Sequence, residues 1–428
     1  MTLPISFTNI LNNAFLRHAS VLAGGTASSQ IITVVGMIFL ARFYSPAQFG
    51  MLASIAALSG ICIPFLSLRY EMAVLIERTR AMACVGYVTI LCLLLTGLLL
   101  ILGLGTLALT FAFINTALFL FVFTILCVSG SFSKISENFL NRNNKYFTMA
   151  TIPIMGNIVF ITAALMLTDH IHGLLIATAL AKCVIILCIF IKTKDAIFAG
   201  IQAFSLKRMH TFLRKNIEFP RYNLPAALLN TLSGNLPVLI IKALFGDAAA
   251  GFYSLLNRIM LAPVRLISLA INRVFIQRIS VLINKRTPIK PLTHKAILIL
   301  SGASLFLGAG TVLFTQLDGF TLLLGDQWDK LNDYALIFIP AIMAAFVAKS
   351  VSRFAAYRKN KIGFYYQSAL LATMLVTIFI IWQLHLPFIT TLICLASITT
   401  MFSLIQLYMI NRITNTLDNE FKEFTAHK

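Results

Sequence analysis

Acidic residues are scarce in this chain: 14 Asp and Glu stand among 428 residues, against 34 Lys and Arg. Charge of either sign makes up only 11% of the sequence and hydrophobic residues 59%, a balance foreign to soluble globular proteins. Catalytic signatures are missing as well. There is no phosphate-binding GxxxxGK(S/T), no HExxH and no pair of carboxylates in a plausible cleft, so no catalytic residue, metal ligand or cofactor is expected. His170 and His172, one residue apart, read as a solvated turn before they read as a metal site. No CxxC occurs, and the seven cysteines (62, 84, 92, 127, 183, 188 and 394) fall inside apolar runs, where small buried hydrophobes explain them better than disulfides. The first eighteen residues carry Asn9, Asn12, Asn13, Arg17 and His18 without a compact apolar core, so no removable signal peptide is expected. The bases are dispersed between apolar runs, which argues against nucleic acid as a partner.

What fills the chain is apolar runs of bilayer length. A hydrocarbon core of about 30 Å takes about 20 helical residues. Such runs fall at 20–42, 48–68, 81–103, 107–129, 147–168, 173–192, 222–245, 251–275, 296–316, 334–352, 363–383 and 388–410, which predicts an all-α polytopic membrane protein of about twelve spans. Loops after even-numbered spans, with both termini and Lys192 at the cytoplasmic edge of its span, hold 26 Lys and Arg, including Arg69, Arg78, Arg80, Lys207, Arg208, Lys285, Arg286, Arg358, Lys359 and Lys361. The remaining loops hold Lys330 alone, so the positive-inside rule puts both termini in the cytoplasm. Asp169, Asp247, Asp318, Asp326, Asp329 and Asp333 lie on the outer side, where the longest loop, 317–333, is too short for a catalytic domain.

The longest cytoplasmic connection divides the spans six and six. The expected organisation is a cytoplasmic or interfacial segment 1–19, a six-helix bundle 20–192, a basic linker 193–221, a second bundle 222–410 and a cytoplasmic tail 411–428. Within the linker, KRMHTFLRKN (207–216) reads as a basic interfacial helix facing anionic membrane lipids. ARFYSPAQFGMLASIAAL, joining spans 1 and 2, echoes KALFGDAAAGFYSLLNRI, joining spans 7 and 8; Gly50 aligns with Gly251, and Pro64 or Pro263 follows. Halves of six spans are parallel repeats, a transporter plan with the substrate path between them.

Apart from Lys192 at a span edge, seven bases fall within the proposed spans, Arg42, Lys182, Lys242, Arg258, Arg265, Arg273 and Lys349, and no Asp or Glu does. Intramembrane charge costs several kcal/mol on insertion scales, so bases without acids point to an anionic cargo. For Arg42, Arg273 and Lys349, near span ends, the alternative is snorkelling to the interface. On span 8, Ser254, Asn257, Arg258, Arg265, Ser268, Asn272 and Arg273 share an arc of about 160° at 100° per residue, opposite Ile259, Met260, Pro263 and Val264. For Ser254, Asn257 and Ser268, bonding to neighbouring helices is the better account than a ligand role. Span 7 opens with FPRYNLPAALLNTLSGNLP, whose Asn223, Asn230 and Gly234 share a side flanked by Thr231 and Pro237. Thr26, Ser29, Gln30, Thr33 and Gly36 line one face of span 1, as a cavity wall or as a small-residue helix contact. The candidate substrate-binding bases are thus Arg258, Arg265, Arg42, Lys182, Lys242 and Arg273, and the candidate cavity-lining polar residues Asn223, Asn230, Asn272 and Gln30.

The block from FPRYNLPAALLNTLSGNLP to LLNRIMLAPVRLI, with LARFYSPAQFG after span 1, RYEMAVLI after span 2 and LLGDQWDKLNDYALIFIPA before span 10, resembles the polysaccharide-unit (O-antigen type) flippases of the multidrug/oligosaccharidyl-lipid/polysaccharide (MOP) exporter superfamily. The resemblance spans nearly the whole chain. It implies two six-helix bundles that move undecaprenyl-diphosphate-linked oligosaccharide from the cytoplasmic to the periplasmic leaflet of a bacterial inner membrane by alternating access. It implies as partners that lipid-linked oligosaccharide, membrane lipids and polysaccharide polymerase or assembly proteins. A multidrug exporter of the same superfamily and a membrane polysaccharide polymerase or ligase stay open as alternatives.

Overall fold

The computed structural model describes residues 14–110, 117–351, 354–357 and 360–426. Asn9, Asn12 and Asn13 of segment 1–19, loop residues Arg358 and Lys359, and the side chain of Arg273 lie outside the described residues. The helices are α1 (Ala14–Leu40), α2 (Pro46–Ser67), α3 (Glu71–Ile76), α4 (Arg80–Thr110), α5 (Ala117–Arg142), α6 (Tyr146–Met166), α7 (Gly173–Gln202), α8 (Leu206–Lys215), α9 (Leu224–Leu256), α10 (Ala262–Lys285), α11 (Lys290–Gln316), α12 (Gly319–Leu324), α13 (Leu331–Val351), α14 (Asn360–Gln383) and α15 (Phe388–Ala426). Wider π-turns at Phe219–Asn223 and Asn257–Leu261 flank α9.

Ten stretches of the described residues are long and apolar enough to cross a membrane. One, Phe219–Lys285, has 67 residues, about 100 Å at 1.5 Å per residue, which exceeds three bilayer cores. It breaks at Gly246, whose φ of 84° and ψ of −178° suit glycine and disfavour other residues. Counting its two arms separately and adding the shorter apolar helix Gly24–Leu40 gives twelve. The expected span at 107–129 is displaced: α4 reaches Thr110, and α5 continues to Arg142. Likewise α7 runs on to Gln202 and α15 to Ala426. Hydropathy locates the lipid-facing part of a helix and misses polar turns beyond it, because helical hydrogen bonding does not stop where the apolar run does.

The chain divides into two compact units, the first holding residues up to Tyr44 with Met51–Leu239, the second Ser45–Gly50 with residues from Ile240 onward. In the first, α1 lies along α6, and α7 packs on α4, α5 and α6. Gly25 and Gly36 allow the α1–α6 approach: a Cβ on Gly25 would meet Ala150, and one on Gly36 would meet Ile161. Tyr87, fully buried, joins three helices through its hydroxyl, which lies 2.7 Å from Ser136 Oγ and donates to Thr193 Oγ1 at 3.2 Å. Of the cysteines, Cys84 and Cys127 are buried, whereas Cys92 and Cys183 are exposed on apolar helices, so the reading of all seven as buried hydrophobes is corrected.

Helix α8 starts at Ser205, whose Oγ accepts the Arg208 backbone N–H, a helix cap. Lys207 and Arg214 are exposed, as an interfacial basic helix requires, but the apolar side is docked on protein: Phe212 is fully buried beside Tyr70. Lys215 Nζ donates to Glu77 Oε2 at 2.8 Å, and Asn216 Nδ2 to Glu77 Oε1 at 3.1 Å. Burial alone would raise the Glu77 carboxyl. The bonds from Lys215 and Asn216, the Lys215 charge and the Arg78 backbone N–H outweigh it and hold the group below its ordinary value.

In the second unit α13 is the central helix, with α10, α11 and α15 packed on it. Trp328 is fully buried, with the rings of Phe49 and Phe252 edge-on at 5.3 and 5.4 Å. A reciprocal approach joins Pro46–Gly50 to Asp247–Gly251: a Cβ on Gly50 would fall on the Asp247 carbonyl oxygen, and one on Gly251 on that of Pro46. Asp418, on α15, accepts the backbone N–H groups of Ile289 and Lys290 at 2.7 and 2.9 Å and so satisfies the start of α11.

Candidate functional site

In the first unit, a polar cavity of about 650 Å³ opens where α2, α3, α5 and the first turns of α9 meet. Its wall includes Arg69, Glu71, Lys134, Asn223, Asn230, Thr231 and Asn235, with Gly60, Ala226 and Ala227 leaving room. The local backbone explains why these residues converge. Pro220, without an N–H, sits in the π-turn Phe219–Asn223, which adds a residue to the helical turn and turns Asn223 to the wall. Asn223 and Asn230 are seven residues apart, about two helical turns, and Asn235, five residues further on, donates through Nδ2 to the Thr231 carbonyl. On the facing side, Leu68 and Arg69 both take left-handed conformations, φ 47° and 62°, in the turn between α2 and α3. Such strain in non-glycine residues costs about 1–3 kcal/mol each and concentrates at functional sites. Arg69 Nη1 reaches Glu71 Oε1 at 3.2 Å; Glu71 is 2% exposed.

In the second unit the bases sit on and after the π-turn Asn257–Leu261. Arg258 and Arg265 are exposed, and among the described residues neither has an acidic partner. Lys349 of α13 lies close enough to Arg265 for the two like charges to act on one another. Snorkelling does not foresee that pairing. The residues expected on the far side of the helix, Ile259, Met260, Pro263 and Val264, line an apolar cavity of about 360 Å³ with Phe306, Phe314 and Phe346.

The structure corrects several expectations. Arg258 and Arg265 do not share a regular helical face, because the π-turn that begins just before Arg258 winds fewer degrees per residue and shifts the phase between them. Asn272 is a helix contact: it is 5% exposed, and its Nδ2 donates to the Ser350 carbonyl at 3.1 Å. Ser268, 1% exposed, donates likewise to Phe346 O, so this part of the arc is a helix contact. Lys242 has an acid after all, since the break at Gly246 returns Asp247 to it at 2.9 Å. Arg42 lies beyond the end of α1, in the turn 41–44, and is exposed. On α1, Ser29 and Thr33 bond Asn157 of α6, which makes that face a helix contact; Gln30 is exposed beside it. Lys182 is half-buried within α7. Asn223 and Asn230 stand on the cavity wall.

Sequence reasoning missed Arg69, Glu71 and Lys134. Arg69 and Lys134 were counted as topology charges outside the spans, although RYEMAVLI already set a base and an acid two residues apart at a span end.

A family model described as polysaccharide biosynthesis protein matches residues 39–333. No curated protein matches the sequence. Among solved structures, the lipid II flippase MurJ in an inward closed conformation is 16% identical with a TM-score of 0.63, over 94% of this chain and 90% of that one. A multidrug resistance MATE family transporter of the MOP superfamily, inward-facing, is 14% identical with a TM-score of 0.60, over 91% and 96%. A mutant of the Vibrio cholerae MATE transporter VcmN is 16% identical with a TM-score of 0.52, over 95% and 97%. At these identities the likeness is one of fold, and function must be argued from the site. The family model covers well over half of the sequence, on a fold shared with MOP-superfamily transporters: this chain belongs to the polysaccharide biosynthesis protein family.

Proposed function

We propose that this protein is a flippase that carries undecaprenyl-diphosphate-linked oligosaccharide from the cytoplasmic to the periplasmic leaflet of a bacterial inner membrane by alternating access, for surface polysaccharide or lipopolysaccharide synthesis. The observation that carries the reading is the pair of Arg265 and Lys349, two like charges near enough to act on one another, with Arg258 earlier in the same stretch and no acid bonded to any of the three among the described residues. A base in a membrane-spanning helix is costly, and two together call for an anion between them. A diphosphate answers that need with charge-assisted hydrogen bonds, which the planar guanidinium makes in pairs. The fold alone is common to drug exporters; the family separates this reading from them.

Each uncompensated negative charge that moves outward gains about 2.3 kcal/mol per 100 mV of inside-negative potential, so a diphosphate carries its own directional bias. Both termini and the linker 193–221 are cytoplasmic in this reading, and a polysaccharide polymerase acts on the product outside.

The test is surface-glycan export in a flippase-null host, normalised to membrane protein level. Arg258→Ala with Arg265→Ala should abolish export while the protein still inserts, because removing a base without an acidic partner relieves a charge. Lysine at either position should rescue in part, keeping the charge and losing the fork. Full export by the double variant would remove this cluster from the substrate path.

A further inference from the structure

The cavity of the first unit has a feature that a diphosphate does not satisfy. Glu71 is 2% exposed, and one of its carboxylate oxygens, Oε2, has no hydrogen-bond partner among the described residues; the buried Nε of Arg69 also lacks one. The two residues pair through their other atoms, Nη1 and Oε1, at 3.2 Å. Both residues belong to the wall of a cavity of about 650 Å³, and the two unmet atoms are closed to solvent as the side chains stand. Leaving such groups unmet costs about 1–3 kcal/mol each, more when charged, so they mark a place where something else bonds.

The pattern restricts what that is. A phosphate has acceptors to offer and would meet Glu71 with repulsion. A cationic amine would satisfy Glu71 and repel Arg69 and Lys134. A hydroxyl donates and accepts at once, and neighbouring hydroxyls on a ring present that pair repeatedly. The rest of the wall has the same double character, since the side-chain amides of Asn223, Asn230 and Asn235 each carry donors and an acceptor. With Arg69 offset by Glu71, Lys134 alone is left as net charge. We propose that this cavity is a saccharide subsite, in which the Glu71 and Arg69 side chains turn so that Oε2 accepts from and Nε donates to sugar hydroxyl groups, with Asn223, Asn230 and Asn235 completing the reading of the ring. The inference rests on the flippase reading for its cargo and assigns the recognition of the sugar, as distinct from the diphosphate, to named residues of the first unit.

The full-length protein in lipid nanodiscs is titrated with two probes, undecaprenyl diphosphate and undecaprenyl diphosphate bearing one N-acetylglucosamine. Wild type should bind the sugar-bearing lipid roughly ten- to a hundredfold more tightly, the range of one hydrogen bond to a charged group. Glu71→Gln keeps the shape and turns the orphan acceptor into a donor or removes its charge, and it should bring the ratio to about one. Asn230→Ala, a truncation on the open wall, should lower the ratio severalfold and decides the matter alone if Glu71→Gln does not fold. Equal affinity of wild type for the two probes, or an undiminished ratio in both variants, would overturn the saccharide subsite and leave the flippase reading standing. Failure of wild type to bind either lipid would instead sink the flippase reading itself.

Discussion

Lys215→Ala is expected to loosen α8. Its ammonium lies 2.8 Å from Glu77 Oε2, and at an effective dielectric of about 20 the bare attraction at that distance is about 6 kcal/mol. Most of that is offset by desolvation, and a hydrogen bond to a charged group contributes about 1.5–3 kcal/mol net. Because the Lys215 side chain is 53% exposed, screening keeps the value at the lower end, about 1.5 kcal/mol, or roughly tenfold in the opening equilibrium. Amide hydrogen exchange over 206–216, followed by mass spectrometry on the purified protein, reads that opening directly. The pH dependence has a definite sign. The folded Glu77 carboxyl is held below its ordinary value, so its contribution is complete above the unfolded value of about 4.3 and is lost as pH falls through the folded one. Wild type should lose protection there on acidification, and Glu77→Gln should be flat across the same range. Unchanged exchange in Lys215→Ala at neutral pH, or an acid-sensitive Glu77→Gln, would refute the argument that this buried carboxylate holds the helix.

The reciprocal glycines make a second test: Gly50→Ala and Gly251→Ala each place a methyl on a backbone carbonyl and should destabilise by about 1–3 kcal/mol, read as a lower Tm. Gly24→Ala, where a methyl meets nothing within 4 Å inside α1, should leave Tm unchanged or raise it, and equal effects at all three sites would refute the steric account. Orientation is testable with single cysteines at His170 and His210, both exposed, in a cysteine-free background. An impermeant thiol reagent should label the first and spare the second in intact cells, and equal labelling would overturn the assigned topology.

The membrane-length helices were legible because hydropathy and length report them directly, and the break near Gly246 lay between two apolar runs already set apart. The phase of the polar residues was less legible. A π-turn has no hydropathy signature, so the arc drawn from Ser254 to Arg273 assumed a constant 100° per residue that Asn257–Leu261 does not keep. Asn272 read as a cavity residue because an asparagine bonded to the next helix has the same spacing as one facing water, whereas Ser268 bonds its neighbour as expected. The Lys242–Asp247 pair was hidden by assigning the two residues to a span and a loop. Arg69, Glu71 and Lys134 were lost for the same reason in reverse, since charges at the edge of an apolar run serve topology as often as they serve a site.

The turn at Asn257–Leu261 holds one residue more than a regular helix needs, so that segment can lose a residue where a regular turn cannot. Removing one of its five residues takes away about 100°, and the even winding restored to the other four returns nearly all of it, so that Ser268 and Asn272 stay on the carbonyls of Phe346 and Ser350 and Val264 in its buried seat. A related sequence aligned with a single gap at this point would therefore still present the bases of α10 in the same direction.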